Sequence, residues 1–242
     1  MPRYRLTIEY HGGAFVGWQV QPRGRTVQGQ IEKCLHWLLH EDVQITGAGR
    51  TDAGVHALGQ VAHFDSAMVL PLDFGRRLNA ALPEDIRVLR FDDCAPDFHA
   101  RYSAVRKTYR YCIAHQPSAF AAGLAWSVMD ELNWPAIDAA TDMLVGHHDF
   151  AGFCRVGSLK KDSSCAVTTA RWVRDDRNAH FEIIANRFLH RMVRLIVGTL
   201  IDIGRHRWPP EHLRQILSTG DVRLAGQAAP AQGLYLVDVE YP

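Results

Sequence analysis

No stretch of this chain is apolar for long enough to cross a bilayer, and no charged region followed by a hydrophobic core opens it. Arg3 and Arg5 sit inside an alternating apolar segment instead, so a soluble, cytoplasmic protein is expected. The cysteines are few and odd in number, five in all (Cys34, Cys94, Cys112, Cys154 and Cys165), and no two form a CxxC pair. That pattern argues against a disulfide framework or a cysteine zinc cage. Net charge is only +1, so no overall basic excess announces a nucleic-acid partner. The 13 histidines are scattered. His147-His148-Asp149 lacks a third ligand at metal spacing and reads as a turn after a helix, so no metal is expected.

The chain has 242 residues, 47% of them hydrophobic and 22% charged, enough to bury a sizeable core in one large domain or two modest ones. Its charge is unevenly placed. Basic residues gather at Arg76-Arg77, from Arg101 to Arg110, at Lys160-Lys161 and from Arg187 to Arg194, several with interleaved aromatics. Arginine far outnumbers lysine, and guanidinium grips phosphate in a fork and stacks on bases. A charge run is most often a solvated face, but this mixture suits a folded RNA.

Arg3 to Tyr10 alternates and ends at Gly12-Gly13, which reads as a strand and turn. Thr26 can cap a helix with Val27, Ile31, Leu35 and Leu38 on one face. Strands are expected near 43–48 and 59–65, a helix from Asp73 to Leu82 stopped by Pro83, and a strand at 86–91. This order is ferredoxin-like. A similar order follows: a strand from Val105 to Ala114, a helix opened by Pro135, and strands near 167–174 and 179–185. Then come an apolar helix from His190 to Ile203, a short helix after Pro209-Pro210, and a strand from Tyr235 to Val239. The fold class is α+β, in two halves, 1–104 and 105–242. Residues 155–165 have loop composition, either a solvated loop or a clamp that orders on RNA.

Between the two central strands of the first half lies Gly47-Ala48-Gly49-Arg50-Thr51-Asp52-Ala53-Gly54-Val55-His56. Three glycines permit close backbone approach, and the loop presents one carboxylate, Asp52, with Arg50 two residues before it. Asp52 is either an Asx-turn residue bonded to its own backbone or an exposed functional acid.

The run GRTDAGVHALGQVAHF closely resembles the catalytic-aspartate motif of the tRNA pseudouridine synthase A family. Other segments extend the resemblance over nearly the whole chain. They are Tyr10-His11-Gly12-Gly13 with Gly17-Trp18-Gln19, Phe98 to Ser103, Tyr109-Arg110-Tyr111, Asn186 to Gly198, and Gly233-Leu234-Tyr235-Leu236. The resemblance implies two ferredoxin-like halves joined in a mostly antiparallel sheet, with helices on one side and a central cleft. It also implies a homodimer, a tRNA partner, and isomerisation of uridine to pseudouridine at positions 38, 39 and 40 of the anticodon stem-loop.

The residue types fit that reaction. The N1–C1′ bond breaks, the uracil turns and C5 bonds to C1′; no electrons are exchanged, so no cofactor is expected. What is needed is a carboxylate nucleophile, a partner for its charge and a pocket that retains the freed base. The resemblance assigns Asp52 as nucleophile, Arg194 as its partner and Tyr109 as the residue stacked on uracil. Without it, Arg194 is either a solvated flank or a buried pair member, and Tyr109 with Tyr111 is a core tyrosine pair, the role kept for Tyr111. Arg50 is placed to fill the space that a flipped base vacates, or to hold phosphate. Phe98, His99, Ala100, Arg101 and Tyr102 would grip the backbone, with Arg101 on phosphate. Arg76 and Arg77 would contact the distant tRNA body, or form a solvated helix face. His56 and His63 are expected to be structural. Lys107-Thr108 and the 155–165 loop depart from the family pattern. Two other functions compete: a non-catalytic RNA-binding module on the same scaffold, and an aspartate-dependent glycosidic hydrolase. The hydrolase would want a second carboxylate, and the Asp52 motif offers Asp65 only thirteen residues on, along a strand that leads away.

Overall fold

Every second side chain of the first strand is buried, Tyr4, Leu6, Ile8 and Tyr10 facing the core. The computed structural model describes residues 1–155, 157 and 162–242. Its elements in order are β1 (Arg3–Tyr10), α1 (Val27–Leu39), β2 (Thr46–Gly47), β3 (His56–Asp65), α2 (Phe74–Ala81), β4 (Ile86–Cys94), β5 (Arg106–Ala114), β6 (Trp126–Ser127), α3 (Trp134–Asp142), β7 (Gly146–Asp149), β8 (Ser164–Arg174), β9 (Asn178–Ala185), α4 (Met192–Gly204), α5 (Glu211–Thr219) and β10 (Leu234–Glu240). The fold is mixed α+β with mostly antiparallel pairing. By contact the chain forms two units, Met1–Val105 with Tyr235–Pro242, and Arg106–Leu234.

In the first unit β1 lies between β4 and β3, antiparallel to both. β2 pairs with the far end of β3 (Thr46 opposite His63), and β10 runs parallel to its start (Tyr235 opposite His56). Thr26 caps α1, its hydroxyl accepting from the Gly29 amide at 3.2 Å. Val27, Ile31, Leu35 and Leu39 form the buried stripe, with Leu39 in place of the expected Leu38. The expected strand at 43–48 shrinks to two residues because helix side chains take its backbone bonds. Glu32 accepts from the Ile45 amide at 2.9 Å, and Gln28 donates to the Ile45 carbonyl at 3.2 Å. Val43 and Ile45 are still buried.

In the second unit the sheet order is β5-β9-β8-β7, antiparallel throughout. Asn133 caps α3, accepting from Ala136 at 3.1 Å. α4 is buried nearly all round, as its apolar run requires. The turn expected at His147-His148-Asp149 is instead β7, an edge strand in which His148 pairs with Cys165. Four residues without apolar alternation are held there by the ladder to β8, a tertiary effect that local pattern does not carry. Among the described residues no group of three His, Cys, Asp or Glu side chains could hold a metal. Lys160-Lys161 and most of the expected 155–165 clamp lie outside the described residues.

Candidate active site

The Asp52 loop is fixed from below by the segments that precede it in the chain. The Trp18 amide donates to the Thr51 carbonyl at 3.1 Å, and the Gly54 amide donates to the Phe15 carbonyl at 3.3 Å. Tyr10 and Thr51 share a hydroxyl–hydroxyl bond of 2.7 Å. Gln60 donates to the Gly49 carbonyl at 2.8 Å, and the Ala48 amide to the Val61 carbonyl at 2.7 Å. The main chain closes the turn, the Val55 amide donating to the Asp52 carbonyl at 3.2 Å. Gly12 packs against this turn so closely that a Cβ there would stand 2.0 Å from the Val55 carbonyl oxygen. Asp52 is half-buried and Arg50 exposed at the crest. Among the described residues no hydrogen bond or ion pair engages the Arg50 guanidinium.

His56, immediately after the loop, is buried, as its structural reading requires. Its Nδ1 accepts from the Gly12 amide at 3.1 Å, and its ring stacks on Tyr235 of β10 with 4.7 Å between centroids. The carboxy-terminal motif thus has a local task that its sequence does not announce: Tyr235 backs the histidine that carries the turn.

The 98–103 segment divides into anchored and presented residues. Ala100 is fully buried, its amide donating to His63 Nδ1 at 3.1 Å and its carbonyl accepting from the Tyr241 hydroxyl at 2.6 Å. Phe98 packs on Tyr241 at 4.9 Å, and its carbonyl accepts from Arg3 at 2.8 Å. His99 Nδ1 accepts from the amides of Arg101 and Tyr102, and its ring lies tilted against that of Tyr102 with 4.3 Å between centroids. Arg101 and Tyr102 project outward, Tyr102 being 77% exposed. Burial, then the charge of Arg3 and the nearby His99 ring, lowers the His63 pKa to about 4, so its Nδ1 keeps the lone pair that Ala100 needs. Arg76 and Arg77 lie on the exposed face of α2, each paired with Asp73 at 3.2 and 3.3 Å.

The second unit carries Tyr109 and Arg194. Tyr109, on β5, is 8% exposed and meets the Phe188 ring edge-on at 4.8 Å. Tyr111 is fully buried, as expected of a core residue, and donates to the Pro230 carbonyl at 2.7 Å. Burial pushes the Tyr111 phenol up, and the nearby charge of Arg194 partly offsets this. Arg194 is half-buried in the first turn of α4, and its Nε donates to the Ala229 carbonyl at 2.7 Å. Gly198 makes that contact possible: a Cβ there would lie 1.8 Å from the Gln227 carbonyl oxygen, so the 227–229 segment crosses directly over the helix. Arg191, expected inside the helix from His190, instead stands at its N-cap position with φ +64° and makes no side-chain capping bond.

A family model described as tRNA pseudouridine synthase matches residues 6–103 and 140–242. The chain belongs to the tRNA pseudouridine synthase family. It is 42% identical over 246 residues to tRNA pseudouridine synthase A of Moorella thermoacetica, covering 100% of both chains. The corresponding protein of Acetivibrio thermocellus is 41% identical over 244 residues, again with 100% of both covered. That of Hyphomonas neptunium is 40% identical over 252 residues, covering 100% of this chain and 99% of the relative. A tRNA pseudouridine synthase is an isomerase acting on uridine in RNA, and tRNA is its substrate. The matched segments of the pseudouridine synthase model include Arg50, Asp52, the 98–103 segment and Arg194; Tyr109 falls between them.

Proposed function

We propose that this tRNA pseudouridine synthase acts on the anticodon stem-loop, at positions 38, 39 and 40, with Asp52 as its nucleophile. The observation that carries the reading is the Asp52 loop itself. A half-buried carboxylate stands on a turn whose main chain is tied down at Gly49, Thr51, Gly54 and Val55. Such fixing holds an attacking oxygen in place before the substrate arrives.

In this reading a target uridine leaves its stack and its base is held on the face of Tyr109. A carboxylate oxygen of Asp52 attacks, the N1–C1′ bond breaks, and the freed uracil turns on the face of Tyr109. C5 then bonds to C1′ as the bond to the Asp52 oxygen breaks and frees the carboxylate, the C5 proton leaves, and N1 takes up a proton. Attack at C1′ or at C6 uses the same carboxylate. Arg194 offers the carboxylate its guanidinium, with its orientation set by the Nε bond to Ala229. Arg50 enters the space left by the base or holds its phosphate, while Arg101 and Tyr102 grip the backbone nearby. The protein works as a homodimer in the cytoplasm, and the isomerisation, being redox-neutral, calls on no metal or cofactor.

The deciding experiment is tritium release from tRNA carrying 5-tritiated uridine, followed by mapping of pseudouridine in the product. The wild-type chain should release tritium and mark the anticodon stem-loop. Asp52→Ala should release none while still binding tRNA, because phosphate contacts dominate affinity. Substantial release by Asp52→Ala would overturn the nucleophile assignment, and pseudouridine elsewhere would overturn the site. Free uracil or an abasic product would show a hydrolase instead.

A further inference from the structure

Beneath the loop that carries Arg50 and Asp52 lies a buried polar chain that the reaction itself does not call for. Tyr10, at the end of β1, is 4% exposed, Thr51 7%, and Gln60, within β3, fully buried. Three polar side chains in an otherwise apolar layer cost free energy unless they bond one another. Tyr10 and Thr51 share their 2.7 Å hydroxyl bond, in which either oxygen could be the donor. Gln60 Nε2 donates to the Gly49 carbonyl at 2.8 Å, while its Oε1 has no hydrogen-bond partner among the described residues. The Tyr10 phenol also lies within the influence of the Gln60 amide; burial pushes its pKa up, so it stays protonated and able to donate.

The Tyr10–Thr51 and Gln60–Gly49 bonds hold the two residues on either side of Arg50, and Thr51 directly precedes Asp52.

We infer that Tyr10, Thr51 and Gln60 form a buried clamp that positions Asp52 for the chemical step. They are positioning residues, touching neither base nor sugar. This inference rests on the reading of Asp52 as nucleophile. A carboxylate displaced by a fraction of an ångström loses its line of attack while the phosphate-gripping surface is untouched. The clamp therefore acts on the chemical step and leaves tRNA affinity alone.

The test compares Tyr10→Phe, Thr51→Val, Gln60→Leu and Thr51→Ser with the wild-type chain. Each is read by single-turnover tritium release from 5-tritiated uridine tRNA, by tRNA Kd, and by Tm. Tyr10→Phe, Thr51→Val and Gln60→Leu should lower the single-turnover rate on the order of 10- to 100-fold with Kd unchanged. Thr51→Ser keeps the hydroxyl and should restore most of the rate. The Tyr10→Phe/Thr51→Val pair should be no slower than the slower single variant, since either change breaks the same chain. The clamp is refuted by folded variants with the wild-type rate, by rate and affinity falling together, or by Thr51→Ser as slow as Thr51→Val. Should Tyr10→Phe fail to fold, Thr51→Val against Thr51→Ser decides alone. Asp52→Ala in the same assay separates the two readings. If it is active, the nucleophile assignment falls. If it is inactive while the clamp variants run at full rate, only the clamp falls.

Discussion

Arg194 and Ala229 bond each other twice: the arginine Nε donates to the Ala229 carbonyl at 2.7 Å, and the Ala229 amide donates back to the Arg194 carbonyl at 3.0 Å. The guanidinium is thereby oriented by main chain from another part of the second unit. Lysine has no counterpart to Nε in that position and would keep the charge without the orientation. Arg194→Lys should lose about 1–3 kcal/mol of stability in denaturant titration, and its tritium-release rate should fall well below wild type. Arg194→Ala should lose more of both. A Lys variant with wild-type rate would show that charge alone suffices and that the Ala229 tether is incidental.

Gly12 bears on the Asp52 loop without belonging to it. The Cβ of an alanine there would collide with the Val55 carbonyl, which is backbone and part of the turn that closes on Asp52. Gly12→Ala should cost roughly 1–3 kcal/mol through overpacking and slow the reaction by shifting the turn. Gly123→Ala is a control for the general cost of replacing a glycine, since nothing lies within 4 Å of its Cβ, though its φ of +74° adds local strain. Equal activity of Gly12→Ala and wild type would mean that the turn tolerates displacement.

Much of the fold was legible because its signals are local. Thr26 caps the helix it precedes, Pro135 stands in the first turn of α3, Pro83 follows the end of α2, and the apolar run of α4 is buried as its pattern requires. Where the sequence reading erred, non-local bonds decided. β7 is a strand only because β8 supplies its partners, and residues 43–45 are drawn out of the sheet by Glu32 and Gln28 of α1. Arg191 has helical neighbours but adopts a left-handed conformation that its residue type does not suggest. The loop of Asp52 stood out through its glycines and its likeness to a known motif. The supports beneath it did not. Gln60 looks like an interruption in an apolar strand, and nothing in the local pattern ties it to Gly49, eleven residues earlier.

His63 makes acid stability testable. Its folded-state pKa, lowered to about 4 chiefly by burial and then by Arg3 and His99, lies below the ordinary 6.5. Between those values the unfolded chain binds a proton that the folded chain refuses, so stability rises with pH across the window. The contribution is fully present above about 6.5 and is lost as pH falls toward 4, amounting to at most about 3 kcal/mol. Urea titrations from pH 7 to 4.5 should show this slope in the wild-type chain and a flatter one in His63→Gln. A slope unchanged in the variant would place the acid sensitivity elsewhere.

Tyr102 and Arg101 allow stacking and phosphate contact to be told apart. Both project from a segment whose neighbours Phe98 and Ala100 are locked into the first unit, so a change at either tip should leave the fold intact. If Arg101 holds a phosphate, Arg101→Gln should weaken tRNA binding and reduce the slope of log K against log salt by about one. If Tyr102, backed by His99, stacks on a base, Tyr102→Ala should weaken binding by about 1–3 kcal/mol and leave that slope unchanged. The wild-type chain should itself show a steep slope despite its net charge of +1, because its exposed arginines are gathered rather than spread. A slope that falls equally in both variants would mean that Tyr102 acts only by holding Arg101 in place, consistent with the 5.7 Å approach of the guanidinium to its ring.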